Sequence, residues 1–233
     1  LSALVAVMIV PLQVVPLASP LAPVVALALV GVILLYISPW IIPLLRETSE
    51  LTGGPAERIS THYTHAALDV RDVRVSDTDD EETATTLVRG PPGYRRLFVT
   101  STFLNTFDDE TATALLAIEA GRLRSHVFEV RVSTALVAGG ALIASVTGLS
   151  SRWLALGTSF VVLLVGFWTS RRRIRTADEY AAEKVDVSTV AEALARYAEN
   201  RAIEPSRRRF PNPLSANVAL GDRTDRLDPK ALL

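Results

Sequence analysis

Two groups of side chains in this 233-residue chain have the types and spacing for chemistry. Glu119 and Arg122 stand three apart in a segment that reads as helix, so a carboxylate and a guanidinium share one face and can pair. His62 and His65, with Glu57 close by, have the donor types and His-x-x-His spacing of a metal site, although two exposed loop histidines are the plainer reading. His126, the remaining histidine, reads as a polar residue near a membrane surface. There is no Cys, which excludes disulfides, Cys–zinc sites and thiol nucleophiles. The sequence holds no phosphate-binding Gly loop, no nucleophile elbow and no nucleic-acid motif, and a net charge of −1 provides no basic field for nucleic acid.

These groups must be positioned by a chain that is 49% apolar with a mean hydropathy of +0.29, too greasy for an ordinary soluble domain or a disordered one. Its charges are segregated. Residues 1–45 carry none; residues 46–130 carry nine Arg against fifteen acids; residues 131–169 carry only Arg131 and Arg152; residues 170–233 carry thirteen basic and ten acidic residues. A spanning helix needs about 20 apolar residues. The first block has room for two, divided by the prolines between Val15 and Pro23, and 21–45 reads as a full span with Tyr36, Trp40 and Arg46 at its end. The chain begins with Leu1 rather than Met, which reads as a truncated start; without a basic flank it does not resemble a signal peptide. Residues 132–149 and 153–170 form a second pair, with Trp153 and Trp168 as interfacial anchors. The competing reading is a helical hairpin buried in a soluble core.

The expected fold is therefore mainly α and integral to a membrane, with about four transmembrane helices and a small α+β domain. An N-terminal hairpin occupies 1–45, a β-meander and a helix 46–130, a second hairpin 131–170, and helices with an irregular tail 171–233. Arg46, Arg122, Arg124, Arg131 and the run Arg171-Arg172-Arg173-Ile174-Arg175 fall on one side of the spans and only Arg152 on the other, which places both polar blocks in the cytoplasm. The Arg run also suits anionic lipid heads. Strands are expected at 67–76, 83–89 and 96–100, the last two joined by Gly90-Pro91-Pro92-Gly93; the acidic stretch 77–82 reads as a solvated loop. A helix starts in the acids Asp108-Asp109-Glu110 and runs through His126 into the third span. Residues 173–184 and 187–200 are helical, the latter with Val190, Leu194 and Tyr197 on one face, and the tail from Ile203 is irregular.

Three pieces of this sequence, in this order, resemble the HtpX-like membrane zinc metallopeptidases, the group that includes the CAAX prenyl proteases. Arg96-Leu97-Phe98-Val99-Thr100, Phe103-Leu104 and Asp108-Asp109-Glu110 are similar to the strand and acidic cap before that family's active-site helix. Leu115-Leu116-Ala117-Ile118-Glu119-Ala120-Gly121-Arg122 resembles the helix bearing HExxH. Ala177-Asp178 with Ala181-Ala182, after the hairpin, resembles the helix that supplies the third zinc ligand, a Glu four residues before the Asp. The resemblance covers roughly residues 20–200. It implies that the two histidine positions fall on Ile118 and Arg122 and the ligand Glu on Ile174, while Glu119 keeps the general-base position and Asp178 its supporting one.

Zinc needs lone pairs in a near-tetrahedral set and lowers the pKa of its bound water to about 7. Ile offers none, and Arg is a permanent cation without an acceptor. The resemblance thus implies a family cofactor, zinc, that this chain is expected to have lost. Arg122 is expected to fill the metal's place, paired to Glu119 and to Asp178. Three functions follow. The favoured one is a non-catalytic, peptidase-like membrane protein that binds or regulates a membrane-protein or peptide partner, with strand 83–89 as an edge for peptide addition. The second is a working metallopeptidase with other ligands, drawn from Glu119, Asp178, Glu179 and His126. The third is an unrelated four-span assembly or transport subunit; no charge lies inside a proposed span, which speaks against an ion pathway. The expected surroundings are a lipid bilayer, with no nucleic acid.

Overall fold

The structure, a computed structural model, describes residues 19–45, 48–76, 84–91, 93–201 and 212–227. In chain order it contains α1 Ala22–Leu45, β1 Thr48–Glu50, α2 Gly54–His65, β2 Asp72–Ser76, β3 Thr86–Arg89, β4 Arg96–Thr100, α3 Ser101–Thr106, α4 Asp109–Arg124, α5 Val127–Val146, α6 Arg152–Val185, α7 Val187–Asn200 and α8 Leu220–Leu227.

The four strands form one mixed sheet in the order β1-β2-β4-β3. The expected meander is not what forms. β3 and β4 are an antiparallel hairpin, but β2 pairs with β4 in parallel, Val73 opposite Leu97 and Val75 opposite Val99. The reason is burial: Leu97, Phe98, Val99 and Thr100 are all buried, so β4 takes a central place with both faces covered, and β3 is left at an edge. Thr100 ends the strand and caps α3, its hydroxyl accepting from the Phe103 N–H at 3.2 Å.

Asp108 caps α4 as the sequence leads one to expect, accepting from the Thr111 N–H at 2.8 Å. Hydrogen bonds from the Thr111 side chain and backbone hold the Asp108 carboxyl below its ordinary pKa. Arg58 of α2 fastens the same corner, with Nε 2.6 Å from Asp109 and donations to the carbonyls of Leu104 and Phe107. α4 is buried almost all round, with Ala114, Leu116 and Ala117 fully enclosed, and is the central helix of the polar domain. α7 closes the core with Val190 and Leu194 buried and Tyr197 packed against it, the face read from its spacing.

α4 does not run on into the next helix. It stops at Arg124, and His126 takes φ 53° before α5 begins, so the chain turns between the domain and the apolar hairpin. α5, 20 residues or about 30 Å, and the apolar part of the 34-residue α6 are long and apolar enough to cross a membrane. Val137, Leu142, Phe160, Val161, Val165 and Trp168 are exposed on this hairpin, contrary to a soluble buried core. Its helices pack through small residues: Gly166 faces Thr134, and the Ser159 hydroxyl donates to the Ala138 carbonyl at 2.8 Å. α1 lies against α5, where Gly31 meets Leu136. The expected first span, 1–18, the acidic stretch 77–82 and Arg46 lie outside the described residues.

The tail departs from expectation. Residues 212–219 cross the base of α5 and α6, held by Arg171 donating to the carbonyls of Asn212 and Ser215, each at 2.7 Å, and α8 follows where an irregular segment was expected. Leu220 and Leu227 pack on the core, while Arg223 and Thr224 are buried. α8 forms because its seven-residue apolar spacing and one buried arginine find partners on α6 and α7.

Candidate functional site

The site is built where α4 crosses α6. Gly121 makes the crossing possible: a Cβ there would overlap the Ala177 backbone carbonyl. Such close approach brings the two preceding turns together and buries Ile118 and Ile174. On the open side of the crossing lies a cavity of 460 Å³, bounded by β3, the end of α4, the start of α5, α7 and the 217–223 segment. Glu119, Arg122 and Ile174 line it.

Glu119 Oε1 pairs with Arg122 Nη1, the contact expected from their spacing. Glu119 is 14% exposed and Arg122 38%, so the pair faces the cavity rather than open solvent. The Glu119 carboxylate raises the Arg122 pKa, so Arg122 is a fixed positive charge at this place.

Asp178 acts on Arg122 from a distance but makes no ion pair with it. It receives a bidentate pair from Arg223, Nε to Oδ2 at 2.9 Å and Nη2 to Oδ1 at 2.5 Å, with side chains 4% and 5% exposed. The expectation that Arg122 reaches Asp178 is therefore corrected: a guanidinium 45 residues further along the chain has that place. Sequence reasoning missed Arg223 because it lies in a segment read as irregular. The usable signal was Leu220, Thr224 and Leu227 at spacings of four and three, with Arg223 beside them.

The other candidate ligands are dispersed. Glu179 pairs with Arg226 at 2.5 Å on an exposed face, and His126 is exposed, 3.6 Å from Glu129. His62 and His65 stand on helix α2 rather than in a loop. Its start signal, Gly53-Gly54 followed by Pro55, was overlooked. His62 is buried, its Nδ1 2.9 Å from the Thr113 hydroxyl and its Nε2 3.3 Å from Asp109, and burial lowers its pKa. Among the described residues no three His, Asp or Glu side chains gather in a set fit for a metal. At the α4–α6 crossing itself the donors do not fit zinc: two carboxylates, Glu119 and Asp178, each held by a guanidinium, with Ile118 and Ile174 where ligands are expected.

No family model matches the sequence, and no curated protein matches it. In fold the chain is similar to the crystal structure of S. mikatae Ste24p, with a TM-score of 0.70 and 16% identity, over 97% of this chain and 62% of that one. The chain thus spans less than two thirds of the length of that structure. At this identity the likeness is one of fold, and two helices of this chain are by length and composition able to cross a membrane.

Proposed function

We propose that this chain is a non-catalytic membrane protein on a metallopeptidase-like fold, of the HtpX-like kind, that binds an extended peptide or a membrane-protein partner in the cavity beside β3. The observation that carries this reading is the Glu119–Arg122 pair set between Ile118 and Ile174. The fold of Ste24p, a membrane zinc metalloprotease, supports the ancestry of the site. In that reading Glu119 is the vestige of a general base, Asp178 that of a supporting residue, and the three ligand positions are Ile118, Arg122 and Ile174.

The chemistry follows from these residues. A water near Glu119 has no metal to lower its pKa, and the carboxylate is already committed to Arg122. Binding does not need that water. Among the described residues β3 pairs with β4 on one side only, and Thr86, Leu87, Val88 and Arg89 line the cavity, which offers its outer edge for main-chain pairing. Both polar blocks belong in the cytoplasm on this reading, the side marked by the arginines at the base of α5 and α6.

The deciding measurement is the zinc content of the detergent-purified protein by elemental mass spectrometry. Well below one zinc per chain is expected. About one zinc per chain, lost in Glu119→Gln or Asp178→Asn, would overturn the reading and restore a peptidase with unusual ligands.

A further inference from the structure

The cavity holds more positive charge than the peptidase-like reading uses. Five arginines and two glutamates line it. Arg122 is committed to Glu119 and Arg223 to Asp178. Among the described residues no carboxylate lies within ion-pair distance of Arg89, Arg131 or Arg201. Arg89 stacks over the Phe128 ring at 4.0 Å and donates to the Val88 carbonyl. Arg131 donates to the Ser170 hydroxyl at 3.0 Å, to the Asn217 amide oxygen at 2.7 Å and to the Ala216 carbonyl. Arg201 donates to the Tyr197 hydroxyl at 2.6 Å. All three are held by neutral groups, which orient a guanidinium, and none has a carboxylate in direct contact; Glu119 and Glu129 act on Arg89 only from a distance. Glu129 is the one further carboxylate among the lining residues, so two positive charges remain in excess.

Burial lowers the Arg89 pKa; the carboxylates of Glu119 and Glu129 oppose that from a distance without cancelling it, and Arg131 adds to it. A partly buried guanidinium without a direct ion-pair partner is costly, and a ligand that supplies the contact recovers that cost. The position of the cavity indicates where that ligand comes from. Arg131 is on the first turns of α5 and reaches Ser170 on α6, so the cavity sits where the apolar hairpin begins. Leu87, Val127, Phe128 and Val218 add an apolar part to its wall.

We propose that this cavity binds a phosphate group, held by Arg89, Arg131 and Arg201. A phosphomonoester carries up to two negative charges on three peripheral oxygens, which matches the excess and the number of free guanidiniums. The phosphate belongs to a lipid head at the base of the hairpin, or to a soluble phosphate. This goes beyond the peptidase-like reading and stands whether or not the chain holds zinc.

The test uses the full chain in phosphatidylcholine nanodiscs, without addition, with phosphatidic acid in the bilayer, or with inorganic phosphate in the buffer. Thermal unfolding is read for the wild type and for Arg89→Gln, Arg201→Gln and, as controls on the surface run, Arg172→Gln and Arg173→Gln. With ligand at about a hundredfold above its Kd, Tm rises by roughly 5 °C or more in the wild type and in both controls. That rise is lost in Arg89→Gln and Arg201→Gln. A rise with phosphatidic acid alone assigns a lipid head; a rise with inorganic phosphate as well assigns a soluble ligand. Should neither addition move the wild-type Tm, the proposal fails. It fails equally if the rise survives in Arg201→Gln and disappears in the surface controls. Arg201 is exposed, so its variant folds even if Arg89→Gln does not.

Discussion

Two arginine–carboxylate pairs stand close together at one helix crossing, and they are built differently. Glu119–Arg122 is local, three residues apart, and opens onto a cavity. Asp178–Arg223 spans 45 residues, is bidentate and is shut away from water. A local, half-open pair adds little to the fold and leaves its charges within reach of a ligand. A buried long-range pair contributes little as a net gain over apolar residues, yet removing one member strands the other. The same two residue types thus serve the site in one place and the tertiary structure in the other.

Removing one side of the buried pair should have the largest effect. Arg223→Ala leaves Asp178 charged and enclosed, and is expected to cost about 3–5 kcal/mol in thermal unfolding. The double variant Asp178→Leu with Arg223→Met should recover most of that loss. If Arg223→Ala proves as mild as Arg122→Ala, the distinction between the pairs collapses. Next comes the crossing beside which both stand. Gly121→Ala forces α4 away from Ala177 and should cost about 1–3 kcal/mol, seen as a lower Tm. Arg122→Ala should cost about 1 kcal/mol or less, because Arg122 is 38% exposed and its partner borders the cavity. An unchanged Tm in that variant would remove Arg122 from any structural role.

The smallest effect belongs to His62. Burial holds its folded-state pKa below the unfolded value of 6.5, so the unfolded chain binds the proton more readily. Stability from this group is present above pH 6.5 and falls as the pH drops from there towards the folded pKa. His62→Gln should flatten the pH dependence of Tm across that window. A wild-type Tm that rises on acidification from pH 7 would contradict the sign.

The legible parts of the molecule were those with a strong local signal. Asp108 capping α4 follows from a run of acids before an apolar stretch, and α7 from the spacing of Val190, Leu194 and Tyr197. The apolar helices announced themselves by length. The Glu119–Arg122 pair needed only helical spacing. What escaped depends on distant partners. The parallel pairing of β2 with β4 is decided by which strand the helices cover, and a turn between β3 and β4 says nothing of it. α8 carries four charges in eight residues, and its place is set by Asp178 and Glu179 on another helix. The cavity arginines come from β3, α5 and the residue that ends α7, and no spacing connects them. The turn at His126 rests on one residue with positive φ that composition does not mark.

Helix α6 runs unbroken for 34 residues, about 50 Å, and contains no proline. Its apolar end carries Trp153 and its polar end carries Ile174, Ala177 and Asp178. A rod of that kind transmits angle. Over the roughly 30 Å between Trp153 and Ile174, a change in tilt of about 10° displaces the polar end by roughly 5 Å. The floor of the cavity and the anchor of α8 move with it. On the membrane reading proposed above, a change in bilayer thickness that retilts α6 would reshape the site without a hinge.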